Sequence, residues 1–262
     1  MNLASMTTLL TIENHIATIT LNRPESSNAV SRELLSSFLK HLQEISTNAS
    51  IRALFLEGAG EKVFCAGADL KERASMTEKE VIQFLDLFRY TCNFLENLPF
   101  PTITVLNGDA YGGGLEIALS CDMRIMANEA KIGLTETKLG IIPGAGGTQR
   151  LSRLIGVSRS MELVFTARRI DAEKALQYGI VNSISNRAEI SSLKSSLAEE
   201  ISSSAPVAVR MAKKAIKSGQ GQDLNLALDI ERACYLQTLK TKDRNEALAA
   251  FKEKRKPNFI GE

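Results

Sequence analysis

The sequence predicts an α/β protein built in layers, with an all-helical end. Two observations support this prediction. The order strand, strand, helix recurs along most of the chain, as it does in proteins whose helices pack against sheets. After about Arg187 the pattern becomes wholly helical, and residues 202–206 (SSSAP) separate two of these helices. We therefore predict a core over residues 1–200 and a helical region over residues 201–262.

The first part of the chain alternates strands with amphipathic helices. Residues 8–21 (TLLTIENHIATITL) alternate apolar and polar side chains around Glu13 and Asn14, which predicts a hairpin. Apolar residues recur at helical spacing over residues 31–45, and Ser31 is the expected N-cap. Three further elements are predicted: a buried strand at 52–57, a strand and turn at 63–69, and a long helix over 77–98.

The second part places short strands and glycine-rich turns before its helices. A β-branched strand at residues 102–107 leads into a glycine-rich turn at 108–114, which opens a helix at Leu115. Later elements are predicted as short strands at 124–126 and 131–134, a Gly/Pro loop at 139–147, and helices starting at Thr148, Ser158 and Asp171.

The composition is that of an ordinary globular protein. Of the 262 residues, 44% are hydrophobic and 24% are charged. The net charge is +2, from 32 basic and 30 acidic residues, which gives no electrostatic support for binding nucleic acid or a membrane. No apolar run of about 18 residues occurs, and the first ten residues lack the features of a secretory signal. We therefore expect a cytoplasmic protein.

Several kinds of site find no support in the sequence. The two histidines, His15 and His41, each lack a neighbouring second ligand, which disfavours a zinc site and a Ser-His-Asp triad. Neither a Walker A, a G-x-G-x-x-G nor a G-x-S-x-G motif occurs. We expect no metal, and we expect free thiols at the four scattered cysteines, Cys65, Cys92, Cys121 and Cys234.

Residues 107–116 (NGDAYGGGLE) give the strongest local indication of chemistry. Three glycines before a helix leave free N–H groups at the positive end of the helix dipole, which suits a developing oxyanion. Glu116 follows among apolar neighbours, so we predict a buried carboxylate with a raised pKa. The alternative is an ordinary first-turn Glu favoured by the helix dipole, and the predicted burial favours the functional interpretation.

Two other segments are weak when taken alone. Small residues at 64–70 (FCAGADL) follow a strand and would let the backbone approach a ligand, yet a tight turn is the better explanation. Residues 133–138 (GLTETK) place Glu136 beside Lys138, and on spacing alone a surface charge is the better interpretation of this Glu.

Taken together, these three segments resemble the crotonase (enoyl-CoA hydratase/isomerase) superfamily. The resemblance runs from residues 21–24 (LNRP) to residues 251–255 (FKEKR), and residues 141–151 (IIPGAGGTQRL) are close to diagnostic of hydratase-like members. It implies a crotonase-type spiral of ββα units with a C-terminal helical oligomerisation region, an acyl-CoA substrate, and no cofactor. It also implies a homo-oligomer, either a trimer or a hexamer. The chain looks most like methylglutaconyl-CoA hydratases, the AU-binding-homologue branch, which implies leucine degradation or fatty acid metabolism.

The resemblance implies roles for four catalytic positions. The N–H groups of Ala68 and Gly113 would form an oxyanion hole for the thioester oxygen as it becomes an enolate. Glu116 and Glu136 match the two catalytic carboxylates, which would hold one water and hydrate the 2,3 double bond. Which of the two acts as base and which as acid stays open at this point.

The resemblance also implies a path for coenzyme A. The expected binding residues beside the oxyanion hole are Ala66, Ala68, Asp69, Leu70, Lys71 and Gly113, and those of a neighbouring loop are Glu25, Ser26 and Ser27. Lys254 matches a basic residue that reaches the CoA phosphates, often from a neighbouring subunit. A solvated run of charges at the C-terminus explains Lys254 equally well.

Two rival functions follow from the same sequence. An enoyl-CoA isomerase typically needs one acid–base carboxylate, so the presence of a second favours hydration. An RNA-binding protein should carry a basic stripe, whereas the first helix has Lys40 as its only lysine. The acyl group stays open, because a methylglutaconyl substrate needs a cation for its distal carboxylate and Arg73, Arg89 and Lys138 are all candidates.

Overall fold

The computed structural model describes residues 6–262, which fold into two sheets surrounded by helices. The strands are β1 Thr8–Glu13, β2 Ile16–Leu21, β3 Ala53–Gly58, β4 Val63–Cys65, β5 Thr102–Leu106, β6 Asp109–Tyr111, β7 Met123–Ala127, β8 Lys131–Gly133, β9 Ile170–Asp171 and β10 Ser183–Ser185.

Helices connect these strands and make up the C-terminal end. They are α1 Arg32–Ser46, α2 Leu70–Ala74, α3 Glu78–Glu96, α4 Gly113–Ser120, α5 Gly147–Ile155, α6 Val157–Thr166, α7 Ala172–Gln177, α8 Ile190–Ser202, α9 Pro206–Gly219, α10 Leu224–Thr238 and α11 Lys242–Glu253. Short 3₁₀ helices lie at Pro24–Ser26, Glu136–Leu139 and Arg187–Glu189.

The two sheets are built by a repeating unit of two strands followed by a helix. The six-stranded sheet has the order β1-β2-β3-β5-β7-β10, and the four-stranded sheet has the order β4-β6-β8-β9. The units that begin at β3, β5 and β7 place their first strand in the larger sheet and their second strand in the smaller one, whereas both strands of the N-terminal hairpin lie in the larger sheet. Neighbouring strands are parallel except in the β1–β2 and β8–β9 pairs. This is the predicted spiral of ββα units.

The N-terminal hairpin and first helix follow the sequence prediction closely. The turn is one residue later than predicted, because Asn14 and His15, rather than Glu13 and Asn14, take left-handed conformations (φ 48° and 69°). Two such residues form the tight turn that matches the twist of a hairpin. Ser31 caps α1 by accepting from the N–H of Leu34. The five apolar positions that predict α1 are its buried residues: Leu34, Leu35, Phe38, Leu42 and Ile45.

Short elements were missed because two to five residues carry no readable period. These are β6, β9, β10 and α2, which begins after its N-cap Asp69. Helix α4 begins at Gly113, two residues before the predicted start, since Gly113 and Gly114 already take helical geometry. All of α4 is buried, which places the first carboxylate candidate in the interior.

Arginine side chains that donate to backbone carbonyl oxygens link the C-terminal region to the core. Arg52 donates to the carbonyl oxygens of Ser202 (2.5 Å) and Phe259 (2.6 Å). Arg210 donates to that of Ile51 at 2.9 Å. The predicted boundary near residue 200 falls inside α8, whose apolar residues pack against the core.

Over residues 6–262, no helix has the length and apolar character needed to cross a membrane.

Candidate active site

A cavity of about 1370 Å³ lies between α3, the start of α4 and the loop after β8. Its walls are largely apolar, with Val81, Phe84, Leu85 and Phe88 contributed by α3. Most of the polar side chains that reach it are charged, and two of them are the carboxylates of Glu116 and Glu136. A cavity of this size, apolar with a few convergent polar groups, suits a small-molecule substrate.

Two residues of the cavity wall, Ala68 and Gly113, have backbone N–H groups without a hydrogen-bond partner among the described residues. Among the hydrogen bonds of the described chain, none uses the N–H of Ala68 or Gly113 as donor. The two groups lie side by side, because a Cβ placed on Gly113 would be 3.6 Å from the nitrogen of Ala68. That Cβ would also lie 2.7 Å from a ring carbon of Phe88, so this position has room only for glycine. Paired free donors at a helix N-terminus can bind a developing oxyanion.

Glu116 is buried but firmly held. Its side chain is on the first turn of α4, and the residue is 3% exposed. Its Oε1 accepts from the N–H groups of Ala145 and Gly147, both at 2.8 Å. Burial raises the pKa of Glu116, while these two N–H groups and the charge of Arg150 oppose the rise. The carboxylate is therefore oriented by backbone donors that favour its ionised form.

Glu136 is buried without such support. It begins the 3₁₀ helix Glu136–Leu139 and is 8% exposed, and neither carboxylate oxygen has a hydrogen-bond partner among the described residues. Burial raises the pKa of Glu136 to about 7. The backbone N–H groups of Glu136 and Thr135 oppose the rise without making a hydrogen bond, and the nearby charge of Glu116 adds to it. A Cβ on Gly112 would lie 3.2 Å from its Oε1, so this Glu faces the turn that carries the free N–H of Gly113. The interpretation of Glu136 as a surface charge, which its spacing from Lys138 suggested, was wrong, because the residue is buried.

The two carboxylates thus share one cavity but differ in their surroundings. Glu116 is held by backbone donors, which oppose the rise of its pKa. Glu136 has no hydrogen-bond partner among the described residues and is half protonated near neutral pH. Pairs of titratable groups whose environments separate their pKa values are typical of acid–base catalysis. Gly113, which carries one of the free donors, lies three residues before Glu116 and next to Gly112, which faces Glu136.

The other predicted binding residues divide into two groups. Ala66, Ala68 and Leu70 line the cavity. The remaining residues are not part of the cavity wall within the described chain: Glu25, Ser26, Ser27, Asp69, Lys71 and Lys254. The loop at Glu25–Ser27 is nevertheless tied to the cavity edge, because Arg23 pairs with Asp69 at 3.1 Å and the carbonyl of Ser27 accepts from the N–H of Ala66.

The sequence predicted only some of the cationic side chains that line the cavity. Of the three candidates from the sequence, Arg73 and Lys138 line the cavity, while Arg89 is exposed and lies beside Asp86 instead. Arg168 and Arg169 also line it and were missed. Nothing in the local pattern distinguishes this pair from surface arginines. Arg168 pairs with Glu162, and Arg169 stacks 4.2 Å over the ring of Tyr111.

No cluster in the described part of the chain has three or more His, Cys, Asp or Glu side chains placed to hold a metal ion. The four cysteines are free and buried, as predicted. The fold and the cavity together are those expected of an enzyme that stabilises an enolate in an oxyanion hole and moves protons with carboxylates.

Comparisons with known proteins identify the family. The family described as Enoyl-CoA hydratase/isomerase matches residues 11–262. The Bacillus subtilis protein YngF is 48% identical over 254 residues, covering 97% of this chain and 98% of that one. The mouse mitochondrial methylglutaconyl-CoA hydratase is 45% identical, covering 94% and 80%. The crystal structure of an enoyl-CoA hydratase from Bacillus anthracis superposes with a TM-score of 0.96 at 47% identity, covering 98% and 100%.

The chain belongs to the enoyl-CoA hydratase/isomerase family. The family and the fold class predicted from the sequence are therefore both confirmed. The individual roles predicted for the site residues stay predictions.

The raised pKa of Glu136 makes folding stability depend on pH. In the unfolded chain a Glu loses its proton at about pH 4.3, whereas folded Glu136 keeps it until about 7. Between these values unfolding releases a proton, so rising pH destabilises the wild type. Glu136→Gln lacks this loss, so its melting temperature should gain on that of the wild type from about pH 5 to about pH 8. Thermal unfolding across this range measures the gain.

The exposed Glu33 on α1 provides the matched control. Glu33→Gln should leave the difference in melting temperature constant over the same range. A constant difference for Glu136→Gln as well would contradict the protonation of Glu136 near neutral pH.

Proposed function

We propose that this protein adds water across the 2,3 double bond of an enoyl-CoA thioester. The observation that carries the proposal is one cavity containing two buried carboxylates, one held by backbone N–H groups and one unbonded, beside two free backbone donors. A base, an acid and an oxyanion hole are the three functions that hydration of a conjugated thioester requires.

The oxyanion hole would act on the thioester carbonyl. Its oxygen would accept from the N–H groups of Ala68 and Gly113, at the positive end of α4. These donors are fixed by the fold, so they stabilise the enolate without reorganising during the reaction. Loss of one such donor typically costs about 3 kcal/mol of transition-state stabilisation. No cofactor is needed for this chemistry, as we expect from the sequence.

The different surroundings of the glutamates support different roles for them. Ionised Glu116 takes a proton from water as the water oxygen bonds to C3, and electrons of the double bond move toward the thioester oxygen. Protonated Glu136 then gives its proton to C2 as the enolate collapses. The pair ends with its proton on the other carboxylate, and exchange between the two or with solvent restores the starting state. Because the groups interact, their protons belong to the pair.

The acyl group can be narrowed by the charges at the cavity rim. Arg73, Lys138 and Arg169 all line the cavity and have no carboxylate partner among the described residues. A distal carboxylate on the acyl chain would provide one. We therefore propose a 3-methylglutaconyl-like substrate, in line with the relatives named methylglutaconyl-CoA hydratase, and thus a role in leucine degradation.

The cytoplasmic location stays a prediction, since several relatives are named mitochondrial.

The C-terminal helices support the proposal of a homo-oligomer. They expose large apolar side chains, including Ile216 (73%), Leu224 (69%) and Phe251 (86%). So much exposed apolar surface is typical of a protein interface. In such an assembly a neighbouring copy could supply Lys254 to the CoA phosphates, which stays a prediction.

Light scattering of the purified protein tests the assembly. We expect a trimer or a hexamer, and Phe251→Glu should shift the population toward smaller species because it places a charge in the interface. A monomer for the wild type at micromolar concentration would contradict the assembly.

Replacing either carboxylate tests the proposed reaction. Glu116→Gln and Glu136→Gln should each fold but lower kcat for hydration by roughly 10²–10⁴-fold, because each removes a proton-transfer group. The double variant should be little worse than the weaker single variant, since the pair acts as a unit. Glu33→Gln, on the exposed face of α1, should keep wild-type kcat.

The assay uses a panel of 2-enoyl-CoA thioesters ranked by kcat/KM, with and without a distal carboxylate. A 3-enoyl-CoA is included to detect isomerisation. Near-wild-type hydration by Glu136→Gln would reject the proposed mechanism. Poor hydration by the wild type, together with good isomerisation, would favour the isomerase alternative.

A further inference from the structure

The guanidinium of Arg150, on the first turn of α5, joins α3 to the loop that precedes α5. Its Nε and Nη2 donate to Oε2 of Glu96 at 3.0 and 2.7 Å, and Nη2 also donates to Oδ1 of Asn93 at 2.7 Å. Its Nη1 donates to the carbonyl oxygen of Ala145 at 2.8 Å. The side chain is 13% exposed. A Cβ on Gly146 (φ 109°) would overlap Nη1, so the guanidinium fills space that a glycine leaves.

The same loop holds the carboxylate of Glu116. Ala145 faces both groups, because its N–H donates to Oε1 of Glu116 and its carbonyl accepts from Arg150. Gly147 supplies the second N–H to Oε1. The loop is therefore bonded on one side to an ion pair anchored on α3, and on the other to the carboxylate. We therefore expect a shift of this loop to disturb both sets of contacts.

We propose that Arg150 is a positioning residue for Glu116. It holds residues 145–147 so that their N–H groups fix Oε1 and leave the other carboxylate oxygen free to bind water. Within the described chain Arg150 does not line the cavity, so it acts through the loop rather than on the substrate. The inference rests on the proposed function only where it gives Glu116 a role in proton transfer.

Few other titratable groups bear on Glu116. Cys92 on α3 and Cys65 on β4, which packs against α4, are both buried, and burial raises the pKa of each thiol to about 12. Both thiols are thus neutral at the pH of an assay. Glu136 lines the same cavity, and its charge interacts with that of Glu116. Arg150 is the nearby cation that lowers the pKa of Glu116. A change in the pH profile near neutrality therefore reports on the two glutamates.

Three variants separate position from charge. Arg150→Met removes both the charge and the donors, while Arg150→Lys keeps the charge without the planar fork. Arg153→Met is the matched control, because Arg153 lies on the same helix and its guanidinium hydrogen-bonds only to Gln149 among the described residues. All three are compared with the wild type for kcat, KM and the pH dependence of kcat/KM.

Arg150→Met should lower kcat by roughly 10–100-fold with little change in KM, because the base is misplaced. The acid limb of the pH profile of kcat/KM for this variant should move to higher pH, because Glu116 loses a cation that favours its ionised form. Arg150→Lys should keep the limb near the wild-type position but not recover kcat. Arg153→Met should match the wild type. If Arg150→Met lowers only the melting temperature, with wild-type kcat and pH profile, the positioning role is overturned.

A second readout does not depend on activity. Because Arg150 favours ionised Glu116, Arg150→Met should lower the melting temperature more at about pH 8 than at about pH 5. This pH dependence should be lost in the Glu116→Gln background. An equal loss at both pH values would overturn the inference. Failure of the wild type to hydrate any thioester would overturn the proposed function instead, and the coupling in melting temperature would still decide the role of Arg150.

Discussion

The burial of two carboxylates in one apolar cavity is the constraint around which this site is arranged. An ionised carboxylate is costly to bury unless it is bonded or neutralised. The chain meets this cost in two different ways. Glu116 accepts from the N–H groups of Ala145 and Gly147, whereas Glu136 has no partner among the described residues and holds a proton up to about pH 7. The same asymmetry between the two carboxylates supports the proposal that Glu116 acts as the base and Glu136 as the acid.

Close backbone approach makes this arrangement possible. A Cβ on Gly113 would clash with a ring carbon of Phe88 and lie close to the nitrogen of Ala68, so glycine lets the two free N–H groups lie together. Gly112, with φ of 50°, brings the turn against the carboxylate of Glu136. A side chain at either position would separate the oxyanion donors from the acid. The ββα spiral contributes by placing β4 and β6 side by side, since the segments that carry the two donors follow these strands directly.

The sequence predicted those parts of the structure that depend on local pattern. The hairpin, α1 and the buried first turn of α4 follow from alternation, helical spacing and apolar neighbours, so Glu116 could be singled out. Glu136 could not, because Lys138 beside it suggests a surface and the burial comes from contacts distant in sequence. The bonds from Ala145 and Gly147 to Glu116 span about thirty residues and leave no trace in spacing. The resemblance to the family supplied Glu136, but not the arginines Arg168 and Arg169 at the rim.

The protonation state of Glu136 is the central claim, and infrared difference spectroscopy tests it most directly. Spectra of the wild type minus Glu136→Gln, recorded from about pH 5 to about pH 9, isolate the C=O stretch of the protonated Glu136 carboxyl. We predict that this band is present at low pH and disappears with a midpoint near 7, as a carboxylate band replaces it. A midpoint near 4.3, the value of a solvated Glu, would contradict it.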